Sequence, residues 1–266
     1  MDARMYGRLE DRAIGVVGVW DPLTVTHRAL FKQVRCQAAR RGLSSLAMVI
    51  DPDPARFVWN RELWPVFNDV HTRAQLLRAL GIDAVLHLRF RKGDIATGAR
   101  EFFDLVGKHA ELAELWLGAK QSLGRGPNGS QEMVAELAAE RGIAVHLLPP
   151  PAAERAETSG NPAAHPIEVR ARLAEGQIVA ASMAVGRVPV RRRPRGATLR
   201  MAWAPGSYQA LPLAHPAAQP TGAAIEVFLV DVGSGWADLH WPDRRIPYLA
   251  FQTGPGDHAR AHLASA

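Results

Sequence analysis

Through the first 150 residues, short apolar runs recur between stretches of helical period, and this alternation constrains the fold more than any other feature. A strand that hands over to an amphipathic helix and then to another strand calls for a parallel sheet with helices on its faces. "AIGVVGV" (Ala13–Val19) reads as a buried strand, and "HRALFKQVRCQAARRG" (His27–Gly42) as the following helix, ended by glycine. "SLAMVI" (Ser45–Ile50) is a second strand that runs into "DPDP". "HTRAQLLRALG" (His71–Gly81) is an amphipathic helix leading into the strand "DAVLHLRF" (Asp83–Phe90). A helix around Arg100–Lys108, a strand at "LAELWLG" (Leu112–Gly118), a helix near Ser130–Arg141 and a fifth strand, "IAVHLLP" (Ile143–Pro149), complete the series.

The pattern then changes class. "PPPAAERAETSGNPAAHP" (Pro149–Pro166) reads as a loop. Helical period resumes in "IEVRARLAEGQIVAASMAVG" (Ile167–Gly186), where Gly176 is expected to separate two short helices. Beyond it, the turn signals "APGSY", "PTGAA" and "VGSGW" alternate with "AIEVFLVDV" and "WADLHW", an antiparallel β pattern. The expectation is an α/β, Rossmann-like domain over 1–186, followed by a small antiparallel β-barrel over 187–266. Trp236, Trp241 and Tyr248 are assigned to the barrel's core, and Cys36 to the packed face of its helix.

Composition narrows the function classes. No apolar run approaches the roughly 18 residues of a membrane span, and "MDARMYGRLEDR" lacks the apolar stretch of a signal peptide. Cys36 is the only cysteine, and the ten histidines show no tight helical pairing, so neither a disulfide framework nor a metal site is expected. These features point to a cytoplasmic protein with no membrane association. The net charge is +6, carried almost wholly by arginine, with one dense cluster in "GRVPVRRRPRG" (Gly186–Gly196). No aromatic residues interleave with the arginines of 187–200, so a solvated edge is favoured over a nucleic-acid patch.

The order of elements, with "GVWDPLTVTHRAL", "DPDPARF", "RAQLLRALGIDAVLHLRF" and "EVRARLAEGQIVAASMAVGRV", resembles the bifunctional prokaryotic riboflavin kinase/FMN adenylyltransferases. That resemblance implies a nucleotidyltransferase domain followed by a flavokinase barrel, here truncated. It also implies FMN or FAD, and ATP with magnesium, as ligands.

The family's first motif is G-x-F-D-G-x-H-x-G-H, and the matching positions are Gly18, Trp20, Asp21, Pro22, Thr24, Thr26 and His27. The resemblance makes His27 and Thr24 the catalytic positions and Trp20, Asp21 and Thr26 nucleotide-binding ones. Backbone N–H groups at a helix start and a histidine there suit a transferring phosphoryl group. Thr24 keeps a hydroxyl donor where the family has its first histidine. Thr26 places a β-branch where the family has glycine; it reads equally as an N-cap for a helix beginning at His27.

The second motif, S-S-T-x-x-R, falls on "HPIEVR" (His165–Arg170) and leaves only Arg170 as a nucleotide-binding candidate, with the acidic Glu168 beside it. The third, G-x-D-F-x-F-G, falls on "GAKQSLGRG" (Gly118–Gly126). It retains Gly118, Leu123 and Gly124 as flavin-binding candidates, with Lys120 and Gln121 replacing the acid and the first aromatic. In the barrel, "TLRMAWAPGSY" lacks the P-T-A-N residues that hold magnesium and phosphate. Glu226 stands at the family's base position next to the flavin, so kinase activity is expected to be lost.

Two readings of function follow. In one the chain is a pseudoenzyme that binds a flavin, an adenine nucleotide or a protein partner. In the other it is an active FMN adenylyltransferase, or a related transferase with an altered acceptor.

Overall fold

The computed structural model describes residues 1–59, 64–118, 121–148, 166–234, 236–255 and 257. These divide into two compact units that interleave along the chain. One comprises Met1–Trp20, Thr26–Arg61 and Leu77–Arg155, and the other Asp21–Val25, Glu62–Leu76 and Ala156–Ala266.

The first unit is built on six strands: β1 (Asp2–Gly7), β2 (Ala13–Gly18), β3 (Ser44–Asp51), β4 (Ala84–Arg89), β5 (Leu112–Gly118) and β6 (Ala144–Leu148). They lie in the order β1-β4-β3-β2-β5-β6, and all neighbours are parallel except β1, which runs antiparallel to β4. Ala13–Val17 is buried throughout, as a strand covered on both faces must be, and this is why the sequence shows an unbroken apolar run there. Helix α1 (Val25–Arg40) buries Phe31, Val34 and Ala38. On the other face α4 (Ala99–Gly107) and α5 (Gln131–Ala139) place Phe102, Phe103, Val106, Val134 and Leu137 against Met48, Leu86, Leu115 and Leu117. The Ser130 side chain accepts from the Met133 amide at 3.2 Å and caps α5. Helix α2 (Ala55–Val58) belongs to this unit, whereas α3 (Val70–Ala79), the last helix before β4, has Val70–Leu76 in the second.

Three details differ from the sequence reading. β1 was not expected: it is an edge strand whose Asp2 and Arg4 are exposed, so it carries no apolar run to betray it. Helix α1 begins at Val25, which puts Thr24 at the N-cap position and Thr26 inside the first turn. Cys36 is exposed rather than packed, because it lies about 200° around the helix from the buried Val34.

In the second unit, α6 (Pro166–Ala174) and α7 (Ile178–Val185) flank Gly176 as expected. A curled antiparallel sheet follows: β7 (Val190–Arg192), β8 (Thr198–Met201), β9 (Gly206–Leu213), β10 (Ile225–Asp231), β11 (Ala237–His240) and β12 (Tyr248–Thr253), in the order β7-β12-β9-β10-β11-β8. Its concave core of Met201, Trp203, Tyr208, Val227, Leu239 and Phe251 is closed by Val169, Leu173, Ile178 and Ala181 of the two helices. Tyr248 is buried and Trp241 packs against this core, while Trp236 is half-buried. The loop expected at 149–166 lies almost wholly outside the described residues, as does Lys120.

Candidate functional site

In an open α/β sheet the carboxyl ends of the parallel strands are where a ligand is received. Beyond the ends of β3 and β4 lies a pocket of about 610 Å³, walled by Ile50, Phe57, Leu88, Phe90, Ile95, Phe102 and Leu123. The rings of Phe57 and Phe90 lie 5.9 Å apart at a 31° tilt. Polar groups are few: Thr97, Ser122, Arg125, and Asp94, which pairs with the amino terminus of Met1 at 2.7 Å. One wall is bare backbone. Gly124, at φ +135°, sits so close to Thr97 that a Cβ would come within 2.5 Å of its carbonyl oxygen, and a Cβ on Gly129 would meet the Gly124 backbone at 2.5 Å. Leu123 donates its amide to the Gly129 carbonyl at 2.9 Å, closing this loop on itself.

Of the expected flavin-binding residues, Leu123 and Gly124 therefore meet at one pocket. Gly118 is outside its lining; its amide donates to Gln121 Oε1 at 3.2 Å. Gln121 in turn donates from Nε2 to the Val17 carbonyl at the end of β2, at 3.1 Å.

The first motif is divided between the units. In the first unit, Trp20 is buried at φ +54°, and its Nε1 donates to the Met48 carbonyl at 3.0 Å. Its ring meets His27 at 5.1 Å and Phe31 at 4.9 Å, both edge-on. His27 is half-buried and Thr26 exposed, both in the first turn of α1. Thr24, in the second unit, directly precedes α1.

Asp21 and Arg170 meet within the second unit. The Asp21 carboxylate accepts the amides of Phe67 at 3.0 Å and Asn68 at 2.8 Å. Arg170 donates to the Asp21 carbonyl at 2.8 Å, holds its carboxylate at 3.5 Å and lies 5.0 Å over the Trp64 ring. Both side chains are about 95% buried or more. Arg170 is thus neither an exposed helix residue nor directed at solvent, and Glu168 pairs instead with Arg172 at 2.6 Å.

A sequence model of the FAD synthetase family matches residues 8–161, more than half of the chain. The chain belongs to the FAD synthetase family. Bifunctional riboflavin kinase/FMN adenylyltransferases of Escherichia coli K12 and Shigella flexneri are each 24% identical to it over 135 residues, which is 50% of this chain and 43% of theirs. The match therefore spans less than half of those relatives. A solved structure described as a macrolide-efflux protein from Streptococcus pneumoniae aligns over 97% of this chain and 94% of its own, with a TM-score of 0.58 at 15% identity. That likeness concerns the fold alone. Family membership ties the chain to flavin- and nucleotide-related function.

The remaining family position, Glu226, is exposed on β10 and accepts a hydrogen bond from the Ser207 hydroxyl of β9. Among the described residues no three histidine, cysteine or acidic side chains gather as metal ligands, and no helix is long and apolar enough to cross a membrane. The sequence reading missed Phe57, Phe90 and Phe102. They come from three separate segments, and the only signal for them is that two of the three follow the strand ends at "DPDPARF" and "HLRF".

Proposed function

We propose that this chain is a flavin-binding member of the FAD synthetase family that carries out little or no adenylyl transfer. One observation carries the reading: the 610 Å³ pocket, which presents aromatic and aliphatic walls, four polar side chains and a glycine-built face beside Leu123 and Gly124. Pockets of roughly 300–1,000 Å³ with that balance suit a small-molecule or cofactor ligand. On this reading an isoalloxazine ring would meet the apolar side chains of Phe57, Phe90 and Leu123, and Thr97, Ser122 and Arg125 would supply donors at its rim. Bound there, the flavin would be a ligand or redox group whose chemistry is its own; the chain orients it and keeps water away. In the second unit, the missing P-T-A-N residues argue against phosphoryl transfer at Glu226.

The test is FMN fluorescence anisotropy with wild-type protein and with Leu123→Arg. Saturable binding that the charged variant abolishes supports the reading, and no binding by the wild type removes it.

The start of α1 favours a second reading, active FMN adenylyl transfer. His27 stands in a first helical turn whose backbone N–H groups suit a triphosphate, and Thr24 directly precedes it. On this reading ATP and magnesium are co-substrates, and FAD and pyrophosphate form together in wild type but not in His27→Ala.

A further inference from the structure

A strand with one face on a core and the other toward solvent alternates apolar and polar residues. In β10 the stretch "VFLVDV" (Val227–Val232) departs from that pattern and is apolar at every position but one. Val227 and Leu229 are buried in the concave core, whereas Phe228, Val230 and Val232 are 58%, 53% and 45% exposed. Single exposed apolar residues are ordinary, but a row of three along one face points to an interaction surface. The register extends this face across the sheet. Val230 lies opposite Asp238 of β11, which lies opposite Arg200 of β8, and Arg200 and Asp238 form an ion pair at 2.8 Å. His240 and Thr198, paired opposite each other, are the next positions on that side.

The loop before β8 and the loop after β11 are pinned to each other at both ends. Arg193 donates its amide to the Pro247 carbonyl, and Trp241 donates its amide to the Ala197 carbonyl, both at 2.8 Å. These loops gather Arg193, Arg195, Arg244 and Arg245, all exposed. Among the described residues none of the four forms a salt bridge. The only acid in either loop is Asp243, whose carboxylate accepts the Arg245 amide at 2.8 Å. An apolar row thus adjoins a concentration of positive charge that the chain leaves unneutralised.

We propose that this face of the second unit docks an acidic, apolar polypeptide segment of a protein partner. The segment's apolar side chains cover Phe228, Val230 and Val232, and its carboxylates meet the arginines of the two loops. Protein interfaces enrich aromatic residues and arginine, and the arginine fork takes a carboxylate through two parallel hydrogen bonds. A nucleic acid would engage the arginines through its phosphates, but Val230 and Val232 give its bases no ring to stack on. Trp241 gives none either, since it packs against the core and its indole N–H donates to the Ile246 carbonyl at 2.8 Å. The flavin pocket lies in the first unit, so this proposal is independent of the flavin reading.

The experiment is fluorescence anisotropy of the full chain with three labelled probes: a peptide of alternating glutamate and leucine, the same peptide with glutamine for glutamate, and oligothymidine. Wild type is expected to bind the glutamate peptide saturably, and the other two at least about tenfold more weakly. Phe228→Ser with Val230→Thr, and separately Arg244→Gln with Arg245→Gln, are each expected to weaken that binding by at least about tenfold. All four side chains are exposed, and circular dichroism checks that the variants are folded; Phe228→Ser alone carries the apolar arm should its pair unfold. No saturable binding by wild type overturns the proposal. So does unchanged affinity in either set of variants. Oligothymidine bound as tightly as the glutamate peptide also overturns it, and would mark a nucleic-acid surface instead.

Discussion

Replacing Arg170 with methionine is the sharpest way to ask whether this arginine serves the fold or a phosphate. Its guanidinium donates at 2.8 Å to the Asp21 carbonyl and approaches the Asp21 carboxylate at 3.5 Å, where the two side chains are 5% and 2% exposed. Taking one partner out of a buried ion pair costs about 3–5 kcal/mol, because the other charge remains desolvated. Asp21 would keep two backbone donors, Phe67 and Asn68, and the 3.5 Å separation is long, so the lower end applies. At about 2–4 °C per kcal/mol for a unit of this size, the melting temperature should fall by about 6–12 °C. Arg170→Lys, which keeps the charge but not the forked geometry, should lose less. In the double variant with Asp21→Asn the two effects should fall short of their sum by about 1–3 kcal/mol, since no charge is then left unpaired. Thermal denaturation followed by circular dichroism gives all three values. If Arg170→Met melts within about 2 °C of wild type, the buried pair does not stabilise the unit and the reasoning is refuted.

Three further outcomes are expected. Gly124→Ala drives a Cβ toward the Thr97 carbonyl from a positive φ, and should weaken FMN binding by about tenfold, corresponding to about 1.4 kcal/mol; unchanged anisotropy titrations would contradict this. Burial raises the Asp69 carboxyl, but Arg191, the Thr72 hydroxyl and amide, and the Arg192 amide together hold it below its usual range. A carboxyl lowered on folding stabilises above its unfolded value of about 3.9, and that contribution drains away as pH falls through the folded value. Urea midpoints should therefore drop below about pH 4 in wild type and less steeply in Asp69→Asn, and equal slopes would count against it. Asp257 accepts the amides of Ile178 at 3.0 Å, Val179 at 3.1 Å and Gly254 at 2.8 Å at the start of α7. Asp257→Ala should cost about 1–2 kcal/mol in urea denaturation, and a loss near zero would show that the cap is dispensable.

The parallel strands were legible because burial on both faces leaves continuous apolar runs such as Ala13–Val17. β1 was not, since an edge strand with exposed Asp2 and Arg4 looks like any charged segment. The glycine-walled loop at Leu123 and Gly124 was visible through the family motif, but its aromatic counterparts were not. Phe57, Phe90 and Phe102 stand far apart in the chain, and only the folding of α2, β4 and α4 brings them together. Arg170 illustrates the limit most clearly. Its partner Asp21 lies 149 residues earlier in the chain, a separation that no local pattern carries. Trp20 likewise matches a motif position in sequence, whereas its backbone angle and its bond to Met48 decide where the indole goes.

The most direct test of the account combines two readouts on one sample. Wild-type protein is titrated with FMN while anisotropy is followed, then ATP and magnesium are added and FAD is quantified. The account expects saturable FMN binding and no FAD above the protein-free control. Accumulation of FAD over many turnovers would contradict it, and would make His27 and the start of α1 a working transferase site.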